Sequence, residues 1–280
     1  MKLRRKIALL FTSISLFSLG VGESINANDN FNMRDIGSEY VGDINNGKRT
    51  GKGTLTFANG DKYVGDFVDG KFNGKGTFTW SNGNKYEGDF LNDLLHGKGT
   101  ITWSTGDKYI GDWVDGNRSG KGTFTWSNGD KYVGNWVDSK RSGKGTLIYP
   151  NGDKYEGDFL NDLPHGKGTV TFAHGSKYVG DIVDGNRTGN GTLIYSNGMR
   201  FVGNFLNNNT TKGTLYFTNG NVYNGGFVDG NLNGKGTLTY RNGDKYVGNF
   251  VDGVFHGKGT VTLKNGKKIK GKWLNGERVN

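Results

Sequence analysis

The chain has 280 residues, of which 51 are glycine and 2 proline; 13% are aromatic, cysteine is absent and the formal charge is +10. Collagen-like and proline-rich chains are excluded, because glycine does not recur every third residue and the proline that extends such chains is missing. The aromatic content supplies apolar surface to bury, which argues against disorder. Without cysteine there are no disulfides, thiolate metal sites or cysteine nucleophiles.

Residues 1–27 predict a secretory signal peptide. Lys2, Arg4, Arg5 and Lys6 precede an apolar run from Ile7 to Val21, and Ala27 stands before a polar, Asn-rich segment. The run contains Thr12, Ser13, Ser15 and Ser18 and falls short of the ~20 residues of a spanning helix. Cleavage is therefore expected over an uncleaved anchor, with export to a periplasmic or extracellular site of a bacterial kind. Residues 28–39 read as a lead-in.

Beyond that, the chain is one repeat. An aromatic-x-Gly unit recurs at Tyr40, Tyr63, Tyr86, Tyr109, Tyr132, Tyr155, Tyr178, Phe201, Tyr223 and Tyr246, with Ile269 in the same slot at the end. The step is 23 residues, except for 22 between Phe201 and Tyr223. Glycine is thus periodic punctuation and not low complexity. A longer period lies on top: Lys85 to Trp103 nearly recurs at Lys154 to Phe172, 69 residues on, so the array grew by copying three-unit blocks.

Within a unit, period-two alternation predicts two strands. Tyr63, Gly65 and Phe67 share one side of the first arm, while Gly76, Phe78 and Trp80 alternate with Thr77 and Thr79 in the second. Most junctions between units carry Asn-Gly, as at Asn82-Gly83 and Asn128-Gly129, which predicts a two-residue turn with positive φ at both positions. The other junction, Asp69 to Gly74, reads as longer. Gly65 and Gly76 fall inside strands, where they either let aromatic rings fold over the backbone or mark bulges. The predicted fold is all-β: an elongated antiparallel meander of tandem β-hairpins with no helical domain after the signal peptide. At ~4.8 Å per strand, ten hairpins would extend roughly 95 Å.

The unit from Tyr63 to Lys85, YVGDFVDGKFNGKGTFTWSNGNK, resembles the MORN repeat (membrane occupation and recognition nexus) slot by slot, over residues 40–280. The resemblance implies an array of β-hairpins with a scaffold or binding role, often self-associating and sometimes found near membranes or phosphoinositides. Repeats are expected over 40–268, with a basic capping segment at 269–280. Asp93, Ser139, Asp162 and Asn208 replace the glycine of slot eight, and the Phe201 unit has lost a residue near Thr211, which puts the regularity of the array in question around 200–212.

No catalytic set stands outside the pattern, and no enzyme, cofactor or metal site is expected. His96, His165 and His256 occupy one slot in different units, roughly 30 to 40 Å apart along the stack, too far to share an ion. Asp66, Asp89, Asp112, Asp158 and Asp181 recur opposite lysines such as Lys75 and Lys98 and read as charge ladders across strands.

The function expected is that of a scaffold or protein-interaction module, with homo-oligomers formed. Trp80, Trp103, Trp113, Trp126 and Trp136 read either as core or as an aromatic stripe for a protein partner. Lys264, Lys267, Lys268, Lys270 and Lys272 cluster beside Trp273. They read either as protection of a sheet edge or as contacts to anionic phospholipid. Nucleic acid is disfavoured, because lysine alternates with aspartate elsewhere.

Overall fold

The computed structural model describes residues 37–279, so the expected signal peptide lies outside the described residues. Those residues form 22 strands and no helix, and neighbouring strands pair antiparallel, as the alternation predicts. They fall into two compact units, residues 37–163 and 164–279. Within each, a seven-residue arm such as Lys62–Val68 pairs with a nine-residue arm such as Lys71–Thr79, and the next seven-residue arm continues the ladder.

Two turn types alternate, and they are exchanged relative to the sequence reading. The Asn-Gly junction is the longer loop: the Phe57 N–H donates to Asp61 O and the Gly60 N–H to Phe57 O, enclosing Ala58, Asn59 and Gly60. Only Gly60 has positive φ, at 90°, as in a type I turn followed by a left-handed glycine. Asn59 stays in the ordinary region because its side chain accepts the Asp61 N–H at 3.0 Å. The short two-residue turn is at Asp69-Gly70, with φ of 51° and 85° and with Val68 paired directly to Lys71.

The glycines inside the strands serve both of the purposes left open. Gly65 pairs with Gly76, but Asp66 pairs with Asn73, so Gly74 and Lys75 bulge outward and Gly74 sits at φ 63°. The Tyr63 ring lies over the glycine pair and donates its hydroxyl to Asp66 O at 2.9 Å. A Cβ on Gly76 would come within 2.5 Å of that ring. Residues four apart on a straight strand are separated by about 13 Å, yet the Tyr63 and Phe67 rings meet at 5.1 Å. The inner face thus folds back on itself, which is how a single sheet forms a core.

That core crosses repeats. Tyr63 packs edge-on against Phe90, Tyr86 against Trp113 and Tyr109 against Trp136, at 5.1, 5.5 and 5.3 Å. Edge-to-face pairs contribute about 0.5–1.5 kcal/mol each beyond area burial, so each hairpin is stabilised chiefly by the next. The shortened unit at Phe201 fits without a break in the ladder: Asn204 pairs with Lys212 and Phe205 with Thr210, leaving one bulged residue where other repeats have two.

Candidate functional site

Strand alternation gives every repeat two faces of different chemistry. The inner face carries the aromatic slots. The outer face carries three rows across the strands: lysine opposite aspartate (Lys75, Asp89), threonine opposite valine or glutamate (Thr77, Glu87), and threonine opposite lysine (Thr79, Lys85).

On the inner face, the five tryptophans of the expected stripe separate into two rows. Trp113 and Trp136 are core residues, 5% and 3% exposed, because they close on the tyrosines of their own and the preceding repeat. Their indole N–H groups donate to Gly99 O and Gly122 O at 3.4 Å. Trp80, Trp103 and Trp126 lie next to the loops between units, Asn-Gly at Trp80 and Trp126 and Thr105-Gly106 at Trp103, and are half-buried. Trp103 and Trp126 both pack against Phe124, and their indole N–H groups have no acceptor among the described residues. These three alone are placed to offer ring surface outward.

Sequence reading did not anticipate the arginines beneath this face. Arg118, Arg141 and Arg187 occupy the slot filled by Phe72 and Leu95 in other repeats, and Arg141 and Arg187 are 5% and 9% exposed. A guanidinium tolerates such a site when rings and acceptors surround it. Arg141 lies over Trp126 and Tyr132, its Nε is 3.2 Å from Asp162 Oδ1, and it donates to Asp162 O at 2.8 Å. Arg118 stacks on Trp136 at 4.5 Å and donates to Ser139 O. Serine stands there where the next repeat has Asp162. Burial accordingly pushes Arg118 down to about 10. The clue in the sequence was an arginine in an apolar slot.

On the outer face, the charge ladder forms as expected through residues 37–163 except at Lys121, which faces Asn135. Lys52 reaches Asp66, Lys75 reaches Asp89, Lys98 reaches Asp112 and Lys144 reaches Asp158, at 2.9, 2.6, 2.6 and 2.7 Å. The Lys98 ammonium holds the Asp112 carboxyl below its ordinary range. Residues 164–279 begin the same way with Lys167 and Asp181. The basic cluster at the end of the chain is divided by the strand: Lys268, Lys270 and Lys272 alternate on one face of Lys268–Leu274, whereas Lys264 and Lys267 sit in the preceding loop. All five are exposed. A second outward feature escaped the sequence reading, a row of exposed aliphatic residues beside the short turns that includes Val68, Val114, Val137 and Leu160.

The histidines stand apart from one another. His96 lies 3.5 Å from Asp115 and His165 3.3 Å from Asp184, contacts between neighbouring repeats. Among the described residues there is no group of three possible metal ligands, and no helix is long and apolar enough to cross a membrane.

No curated protein matches the chain. Among solved structures, the TCP10 domain of Danio rerio CPAP is similar at 13% identity over 79% of this chain and 99% of that one, with a TM-score of 0.38. The SAS-4 (dCPAP) TCP domain of Drosophila melanogaster, solved with a proline-rich motif of Ana2, is similar at 15% identity over 78% and 88%, with a TM-score of 0.32. The MORN repeat matches at 40–62, 63–85, 86–108, 109–131, 132–154, 155–177, 178–200, 223–245 and 246–268. It passes over 201–222, the unit with the shortened bulge. With nine tandem matches spanning most of its length, this chain belongs to the MORN repeat family.

Proposed function

We propose that the protein is a non-enzymatic scaffold that binds protein partners, a second copy of itself first among them, along the margin of its aromatic face. The observation that carries this reading is the row of half-buried Trp80, Trp103 and Trp126, whose rings reach the surface while the indole N–H of Trp103 and of Trp126 stays buried. Tryptophan in such a position offers a large, rigid apolar area to a partner, and such anchors dominate interface energetics. Light scattering on the full chain tests it. The expected result is a dimer mass that falls to the monomer mass in Trp103→Ala/Trp126→Ala with the circular dichroism unchanged; a monomer at every concentration overturns self-association.

Export behind residues 1–27 belongs to the same reading, and N-terminal sequencing of the protein from its native source checks it. A second reading, contact with an anionic membrane through Lys264, Lys267, Lys268, Lys270 and Lys272, is favoured by the exposure of all five. Co-sedimentation with anionic vesicles that fades with salt is its test.

A further inference from the structure

The outer charge ladder loses its acidic half within residues 164–279. After Lys167 and Asp181, the row continues with Lys212, Lys235 and Lys258, all exposed. The strand positions facing them, which hold aspartate in the earlier repeats apart from Asn135, are now Gly226, Asn249 and Lys272. The bulge of the shortened unit adds Asn204 as a second neighbour of Lys212. Among the described residues none of these four lysines has an ion pair. Asparagine has the shape of aspartate without its charge, so the backbone geometry survives while the compensation disappears. Successive repeats set Lys212, Lys235 and Lys258 roughly 10 Å apart, two strand spacings, in a straight row, and Lys272 doubles the charge at its end.

We propose that this row is a binding track for a linear phosphate polymer. Charge complementarity calls for an anion repeated along a line, and lysine binds phosphate as a point charge. The neighbouring row supplies hydroxyls from Thr214, Thr237 and Thr260. The face carries a single aromatic ring, Tyr216, covered by the Arg200 guanidinium 4.0 Å from its centroid, because strand alternation sends the tryptophans and phenylalanines to the inner side. It thereby lacks the row of stacking platforms that a single-stranded nucleic acid uses and the belt of aromatic anchors of a membrane interface. The track is independent of the tryptophan margin, and it competes with a membrane for Lys272.

The test measures binding of inorganic polyphosphate to the full chain against salt. Taking the single-strand value for each neutralised phosphate, four contacts lose roughly 50-fold in affinity between 50 and 200 mM salt. Asn204→Asp/Asn249→Asp/Lys272→Asp restores the missing carboxylates beside Lys212, Lys235 and Lys258, and should weaken binding at low salt by roughly tenfold or more. Asn135→Asp, which gives Lys121 a partner in residues 37–163, should leave binding unchanged. If the triple variant fails to fold by circular dichroism, Lys235→Gln/Lys258→Gln takes its place with the same expectation. Undiminished binding by the charge variants overturns the proposal, as does absence of binding, or tighter binding of phosphatidylglycerol vesicles or of a single-stranded DNA oligomer than of polyphosphate.

Discussion

Asp162 and Ser139 show how much one residue decides when its neighbour is a buried cation. Both occupy slot eight with positive φ, and both sit above an arginine of the preceding repeat, but only Asp162 brings a charge. Removing it leaves the Arg141 guanidinium with carbonyl and ring contacts alone. Asp162 is itself partly exposed, which places the loss between the surface and buried limits for an ion pair. Asp162→Ala should therefore cost about 2 kcal/mol, and Ser139→Asp should gain about 1 kcal/mol by pairing Arg118. Urea denaturation measures both. Unchanged stability in Ser139→Asp would mean that stacking on Trp136 already satisfies Arg118.

At the scale of the element, the short turn is the joint between repeats. Its second residue donates its N–H to a carbonyl one repeat back, as Gly70 does to Arg49 O, Asp93 to Phe72 O and Gly116 to Leu95 O. Where glycine is replaced, the new side chain adds a second bond that offsets the strain of positive φ: Asp93, Ser139, Asp162 and Asn208 accept from the N–H of Phe72, Arg118, Arg141 and Arg187. Asp93→Gly removes the bond and the strain together and should change stability by less than about 1 kcal/mol. Asp93→Ala loses the bond and keeps a left-handed backbone that alanine tolerates less well than aspartate, and should cost about 1–2 kcal/mol. Thermal unfolding of the two variants reads the order, and equal losses would show that strain is not carried there. The exchange of turn types follows from the same bonds. Asn-Gly is read from local preference as a two-residue turn, but Asn59 bonds Asp61, and Asp61 accepts the Ser81 N–H of the next loop at 2.7 Å, which fixes the longer form.

For the molecule as a whole, the repeated tyrosine sets a limit at high pH. Eight tyrosines, Tyr63, Tyr86, Tyr109, Tyr132, Tyr155, Tyr178, Tyr223 and Tyr246, are fully buried. Burial pushes Tyr178, Tyr223 and Tyr246 up to about 12 and the other five further. Their unfolded counterparts ionise near 10. Above that pH the unfolded chain has released protons that the folded one retains, so the stabilisation is complete below pH 10 and is lost as pH rises. Each tyrosine contributes a slope of about 1.4 kcal/mol per pH unit. Arg118, shifted the opposite way, offsets one of the eight. Tyrosinate absorbance should therefore appear together with loss of β dichroism; tyrosinate forming near pH 10 in a folded chain would contradict this.

The sequence alone determined the repeat, the strands and their inner and outer faces, because period-two alternation and the 23-residue step are local and recur until chance is excluded. It also determined the lysine and aspartate pairs of residues 37–163, since partners in register stand at fixed spacing. Tertiary structure decided the rest. Which tryptophans are core and which are margin depends on the bends at the glycine pairs Gly111–Gly122 and Gly134–Gly145, which draw Trp113 and Trp136 under the tyrosines and leave Trp103 and Trp126 beside the loops. The burial of Arg118 and Arg141 was hidden for the same reason: a side chain's surroundings come from the repeats stacked on either side of it, and spacing along one strand does not specify how far that strand folds over.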